Sequence, residues 1–291
     1  MSLTNGPGTS GHLITPSDLH ALLREGAPVR LLDVRWQLGK PDGREDFAAG
    51  HLPGAVFVDL PTELADPGAT SGGRNPIPPV ERLQENARGW GIRPGDTVVA
   101  YDDAGGSSAA RAWWLLRHAG LEDVRVLDGA LSAWRAAGLP LETGPGHRPE
   151  PGDVTLRYGA MPVLDADAAE EMARTGVLLD ARAPERYRGE TEPIDPVAGH
   201  IPGAVNAPGE GNLGRDGAFL PPEQLRERYA GLGVTDEAPA GAYCGSGIHA
   251  THTVLALAVA GKEAALYPGS WSEWSSDPDR PVATGEEPGE R

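Results

Sequence analysis

The chain contains one sequence pattern twice, and that restricts its fold more than any other feature. Val29-Arg-Leu-Leu-Asp-Val-Arg35 returns as Gly176-Val-Leu-Leu-Asp-Ala-Arg182. Gly50-His-Leu-Pro-Gly-Ala-Val56 returns as Gly199-His-Ile-Pro-Gly-Ala-Val205. Val99-Ala-Tyr-Asp102 matches Gly241-Ala-Tyr-Cys244, and Leu127-Asp-Gly-Ala-Leu-Ser-Ala-Trp134 matches Tyr267-Pro-Gly-Ser-Trp-Ser-Glu-Trp274. The order and the spacing both survive. A period of roughly 140 to 150 residues is far above the ~20–50 of stacked repeats, so a whole domain is duplicated. A chain of 291 residues accommodates about two such domains.

Each half alternates short apolar runs with amphipathic stretches. In the first half, Thr15-Pro-Ser-Asp18 is a helix start, with Thr as cap, Pro in the first turn and Asp18 at the positive helix end. Strands are expected at 29–32, 55–58, 97–101 and 124–127, with helices over 79–90 and 107–119. The second half repeats this, with strands at 177–179, 204–206, 239–243 and 264–267 and helices over 221–232 and 247–260. Such alternation implies an α/β fold, each half a parallel sheet with helices on both faces. The expected boundaries are a first domain over 1–143, a Pro/Gly-rich linker over 144–162, and a second domain over 163–291 ending in a polar, mobile tail from Asp277. Trp113, Trp114, Trp134, Trp271 and Trp274 are expected to fill cores.

Composition removes several function classes. The net charge of −17 opposes phosphate backbones, so nucleic acid is not an expected partner. No run of about 18 apolar residues is present, so no membrane span is expected. The first residues have neither a basic start nor an apolar run, unlike a secretory leader. One cysteine excludes an internal disulfide and fits a reducing, cytoplasmic setting. Gly72-Gly73 and Asp103-Ala-Gly-Gly106 form no nucleotide fingerprint, and His249 and His252 lack the further ligands a metal site needs. No cofactor or metal is expected.

Features shared by the two halves most simply serve the fold, and features found in one half are candidates for function. By this test Asp33 and Asp180, and the paired His51 and His200, are first of all structural. The halves part after Tyr101 and Tyr243. The first continues Asp102-Asp-Ala-Gly-Gly-Ser-Ser-Ala109, the second Cys244-Gly-Ser-Gly-Ile-His-Ala250. Cys244 thus stands at the carboxyl end of a buried strand, before a glycine turn and a helix. Ligands of open α/β sheets bind there. Successive N–H groups in such a turn form a nest for an anion, and the helix start adds positive potential, which together favour a thiolate. A buried core cysteine is the alternative.

These residues resemble the tandem rhodanese sulfurtransferases over roughly Leu13 to Thr284. The resemblance implies two rhodanese domains, the second catalytic and the first inactive, in keeping with Asp102 at the cysteine position. The loop Cys244–Ala250 is similar to the Cys-Gly-Ser-Gly-Val-Thr loop of 3-mercaptopyruvate sulfurtransferases, with His249 where Thr is usual. Thiosulfate-preferring members more often carry Cys-Arg-Lys-Gly. A neutral loop suits a monoanionic carboxylate, whereas basic side chains suit a dianion. Arg186 matches the family's first substrate-binding arginine, its planar fork suited to a carboxylate or sulfonate. The stretch Glu192–Val197, where a second such Arg is typical, has none.

The resemblance further implies double displacement. The Cys244 thiolate takes sulfur from thiosulfate or 3-mercaptopyruvate, and the N–H groups of Gly245, Gly247, Ile248, His249 and Ala250 steady the charge. Cyanide, a small thiol or a thioredoxin-type dithiol then accepts the sulfur. It also implies a proton relay of Cys244, Ser246, His51 and Asp42 between the domains; a turn role for Ser246 and a polar loop role for Asp42 stay open beside it. His249 either adds charge near the thiolate or points to solvent. A cysteine phosphatase is disfavoured because Ala250, not Arg, is the sixth residue after Cys244. A sulfur carrier without turnover, or a regulatory binding module, is the remaining alternative to an enzyme. A monomer is expected.

Overall fold

The computed structural model describes residues 11–37, 39–40 and 42–289. Residues 1–10, on which the expectation of no secretory leader rests, lie outside this range. The chain divides into two compact units. Unit 1 holds the chain up to Asp66, Pro78–Met161 and Leu213–Phe219; unit 2 holds Pro67–Ile77, Pro162–Asn212 and Leu220 onward.

In unit 1 the elements run β1 (Leu13–Ile14), α1 (Pro16–Arg24), β2 (Val29–Asp33), α2 (Arg44–Ala49), β3 (Val56–Phe57), α3 (Leu60–Glu63), α4 (Val80–Gly89), β4 (Thr97–Tyr101), α5 (Ala109–His118), β5 (Val124–Leu127) and α6 (Ala130–Ala136). The strands form one sheet in the order β1-β5-β4-β2-β3, all parallel. Unit 2 runs α7 (Ala166–Thr175), β6 (Val177–Asp180), α8 (Pro184–Tyr187), β7 (Val205–Asn206), a 3₁₀ turn (Gly209–Asn212), α9 (Pro222–Gly231), β8 (Ala240–Tyr243), α10 (His249–Val259), β9 (Ala265–Leu266) and α11 (Ser270–Trp274). Its sheet has the order β7-β6-β8-β9, again all parallel. Parallel neighbours need crossovers, which the intervening helices supply. Strand β8 is buried throughout and β4 is buried beyond its first residue, as the unbroken apolar runs require.

The cores repeat residue for residue. Leu31, Leu52, Ala55, Tyr101, Leu127, Leu131 and Trp134 pack in unit 1; Leu178, Ile201, Ala204, Tyr243, Tyr267, Trp271 and Trp274 pack in the same order in unit 2. Two matching core tyrosines carry their hydroxyls to backbone groups, Tyr101 accepting from Leu52 N–H and Tyr243 from Ile201 N–H, both at 3.1 Å. The five tryptophans expected in cores are all buried.

Two features differ from the sequence reading. The two-residue strand β1 is too short to show a period, yet it pairs with β5. The expected linker over 144–162 is instead packed as part of unit 1 up to Met161. Gly152 N–H reaches Arg88 O at 2.7 Å and Arg157 N–H reaches Ala119 O at 3.0 Å, because these backbone groups find partners along α4 and α5. The polar stretch from Asp277 makes contacts of its own. Ala283 and His200 exchange two backbone bonds, and Arg280 pairs with Glu170 and Asp167 on α7.

Helix α1 begins where its sequence placed it. Thr15 is extended, and its hydroxyl accepts Asp18 N–H at 3.1 Å. Thr15→Ala is expected to remove about 1 kcal/mol from the unfolding free energy of unit 1. The urea midpoint should fall with an unchanged slope. Among the described residues no helix is long and apolar enough to cross a membrane.

Candidate functional site

The site begins where β6 and β8 end side by side, Asp180 in register with Tyr243. Asp180 is fully buried and grips Arg182 two residues on, Nε–Oδ1 3.0 Å and Nη2–Oδ2 2.6 Å. Arg182 Nη2 then donates to Gly199 O at 2.7 Å, and its guanidinium lies 4.6 Å over Trp271. Burial works against the Arg182 charge, but Asp180 outweighs it and holds the guanidinium more firmly protonated than usual. Asp33 and Arg35 repeat the arrangement in unit 1, ending on Gly50 O at 3.0 Å. These pairs therefore fix the loop before each shared His-x-Pro-Gly, a fold role.

Cys244 follows β8 directly and is 3% exposed. Its N–H donates to Ser270 Oγ at 3.1 Å and its carbonyl accepts Trp271 N–H at 2.9 Å. The chain then turns, and Gly247 N–H points back to Sγ at 3.2 Å. Gly247 has φ +79°, and a Cβ there would lie 2.3 Å from Pro268 O, so only glycine can make this turn. Helix α10 starts two residues later, its first-turn N–H groups beside the loop. The sulfur is thus buried but not sealed in apolar packing, since an amide hydrogen is directed at it.

Unit 1 shows what the same loop does with a fixed negative charge. Asp102 takes the cysteine position and is 1% exposed. Its Oδ1 accepts N–H from Ala104 and Gly106, both at 2.9 Å, and its Oδ2 accepts from Ser108 at 2.8 Å and Ala109 at 3.0 Å. Four main-chain donors converge on one carboxylate, which is a filled anion nest. Gly106, at φ +88°, makes the turn that Gly247 makes in unit 2.

Beside the cysteine loop stands a charge-balanced cluster. Arg186, on α8, meets Glu192 at 2.5 Å and Asp195 at 3.4 Å through Nη2. Asp195 also takes Arg74 Nη1, from the Pro67–Ile77 segment that unit 2 includes. Burial resists ionisation of Glu192, but Arg186 and the N–H groups of Asp195 and Ile194 hold its carboxyl below the usual range. Asp195 lies above the usual range, burial outweighing Arg74 and the neighbouring charge of Glu192 adding to it. Gly245 lies against both guanidinium groups: a Cβ there would be 3.3 Å from Arg74 Nη2 and 3.4 Å from Arg186 Nη1.

The rhodanese-like domain matches this chain twice, over residues 15–137 and 165–277. The chain belongs to the rhodanese family. A Mycobacterium tuberculosis protein, provisionally named thiosulfate sulfurtransferase SseB, is 48% identical over 94% of this chain and 97% of its own. Human 3-mercaptopyruvate sulfurtransferase is 37% identical over 86% of each chain. The solved structure of SseA from Escherichia coli, described as a 3-mercaptopyruvate sulfotransferase, superposes with a TM-score of 0.76 at 30% identity, covering 90% of this chain and 99% of that one. Two rhodanese domains and these relatives make the protein a sulfurtransferase.

The rhodanese loop of unit 2 brings together Cys244, Gly245, Ser246, Gly247, Ile248, His249 and Ala250, with Arg186 beside it. Ser246 is half-buried, Ile248 and Ala250 are buried, and His249 is exposed at the first position of α10. Of the expected relay, His51 and Asp42 belong to unit 1. His51 is buried, stacked 3.8 Å from the Phe47 ring, with Nδ1 2.8 Å from Phe47 O. His200 repeats this against Tyr187, at 3.7 Å and 2.8 Å. The two histidines thus share one setting, and Nε2 of each is buried without a hydrogen-bond partner. Asp42 is exposed and accepts Arg44 N–H at 3.0 Å. Among the described residues no group of three or more His, Cys, Asp or Glu could hold a metal. Arg74 is the residue that sequence reasoning missed.

Proposed function

We propose that Cys244 carries sulfane sulfur as a persulfide, in a double displacement between a small anionic donor and a nucleophilic acceptor. The single observation behind this is the carboxylate nest of Asp102. An aspartate oxygen is two bonds beyond Cβ, and so is the outer sulfur of a cysteine persulfide. Aligned on the turn glycines, Gly106, Ser108 and Ala109 correspond to Gly247, His249 and Ala250. Their N–H groups are the donors for a negative outer sulfur at Cys244, and Gly247 already donates to Sγ. Stabilising charge where it develops is the largest lever such a site has.

The thiolate attacks the donor's outer sulfur. With thiosulfate, the S–S bond breaks and its electron pair leaves on sulfite. With 3-mercaptopyruvate, the C–S bond breaks and the pair leaves on carbon, which takes the thiol proton to give pyruvate. On this reading Ser246, in the same loop, passes that proton. Cyanide or a thiolate then attacks the outer sulfur, and Cys244 leaves as thiolate. The loop contains no Lys or Arg, and Arg186 and Arg74 are matched by Glu192 and Asp195. That charge balance favours the monoanionic 3-mercaptopyruvate over dianionic thiosulfate.

Donor treatment followed by intact mass spectrometry is expected to show a gain of ~32 Da, one sulfur, as covalent catalysis requires. Initial rates with cyanide should be ping-pong over many turnovers, and kcat/KM should be higher for 3-mercaptopyruvate. One sulfur taken up without turnover would make the protein a carrier. No adduct from either donor would refute the persulfide.

A further inference from the structure

We infer that Arg74 is a donor-binding and specificity-determining residue, the second half of a two-guanidinium clamp that holds the anionic group of the donor. Its substrates rest on the sulfurtransferase reading; its geometry does not. Arg74 is brought to the cysteine loop by a chain of close contacts. Ser272 N–H holds Gly245 O at 3.0 Å, and Ser272 Oγ accepts Arg74 N–H at 3.1 Å. The preceding Gly73 has φ +78°, and a Cβ there would come within 2.4 Å of Gly269 O and 2.5 Å of Ser272 Oγ. The segment can sit this close to the loop only with glycine at 73.

The side chain then turns to the same place as Arg186. Asp195 takes Arg74 on Oδ1 and Arg186 on Oδ2, so one buried carboxylate holds two like charges together. The Nη2 of Arg74 and the Nη1 of Arg186 both face the spot where Gly245 lacks a side chain, one residue from the nucleophile. Two planar forks converging beside a thiol suit a carboxylate or sulfonate attached to the sulfur being transferred. Arg74 touches the donor rather than the sulfur, so its loss should appear in KM. Its backbone anchor to Ser272 survives replacement of the side chain.

Alkylation of Cys244, the only cysteine, separates this role from sulfur chemistry. Iodoacetate carries a carboxylate, iodoacetamide does not, and the thiolate displaces iodide from either. In Arg74→Ala the ratio of iodoacetate to iodoacetamide rates is expected to fall about tenfold, the size of one charge-assisted hydrogen bond, with the iodoacetamide rate within about twofold. KM for either sulfur donor should rise by about the same factor, with kcat within roughly threefold. Arg74→Lys should recover part of the ratio. Gly73→Ala should lower it with the guanidinium still present. An unchanged ratio and KM in Arg74→Ala would overturn the inference, as would equal slowing by both reagents, which marks a structural role. If the wild type failed to turn over donors while the ratio still fell, the clamp would stand and the sulfurtransferase reading would not.

Discussion

Cys244→Ser is expected to lower kcat/KM for sulfur transfer on the order of 10⁴-fold or more, the scale seen when a covalent nucleophile is removed. The replacement keeps the size class and the buried position, so the fold should change by less than about 1 kcal/mol. The chemistry does not survive. A serine hydroxyl stays protonated near neutrality, and oxygen cannot hold a sulfane sulfur that a second nucleophile then removes. The chain has no other thiol to take over. The Gly247 N–H that now points at Sγ would meet a neutral hydroxyl. The measurement is donor and cyanide turnover beside the intact mass, with urea unfolding as the control for folding. A variant that kept more than about 1% of turnover, or still gained the mass of one sulfur, would place the reacting group elsewhere.

That cysteine was legible because everything positioning it is local. A buried strand, a glycine turn and a helix start are contiguous from Ala240 to Val259, and the matching segment of unit 1 served as a control within the same chain. The two parallel sheets were legible for the same reason, since period and turn residues sit within each element. What stayed hidden depends on chain segments far apart. Arg74 bonds to Ser272 across 198 residues, with no local pattern to mark it. A second arginine was sought around Glu192–Val197, the stretch that contains Asp195; Arg74 arrives at that carboxylate from the other half of the sequence.

The same exchange occurs in reverse. The segment Leu213–Phe219, equivalent in position to Pro67–Ile77, belongs to unit 1, where Phe219 N–H meets Asp128 at 2.8 Å and Leu213 lies over Gly105. Each rhodanese unit is therefore completed by a segment from the other half of the chain. A duplicated sequence reveals the two units but not this trade, because the exchanged loops share no motif. Asp102 was read only as the absence of a cysteine. Its four N–H partners lie within seven residues, yet the geometry that gathers them depends on positive φ at Gly106, which the sequence alone does not specify.

Asp102→Ala is expected to destabilise unit 1 by about 4 kcal/mol. The carboxylate is buried and satisfies four main-chain donors, and orphaned buried donors cost about 1–3 kcal/mol each, less what entering water recovers. Hydrogen exchange over β4 and α5 should accelerate by about 10³-fold, the equivalent of that energy. Asp102→Asn is nearly isosteric but should also destabilise, because its NH₂ faces two N–H groups that need an acceptor. Formate added to Asp102→Gly should restore part of the protection, while equal chloride should not, since only the carboxylate offers two oxygens to the nest. Rescue would establish that the loop itself, apart from the residue that fills it, is built to hold a negative charge two bonds beyond Cβ. In unit 2 Cys244 stands where Asp102 stands in unit 1, and the proposed outer sulfur would take the place of a carboxylate oxygen. Exchange in Asp102→Ala as slow as in the wild type would mean the N–H groups do not need their anion, and the argument from unit 1 to the persulfide would lose its footing.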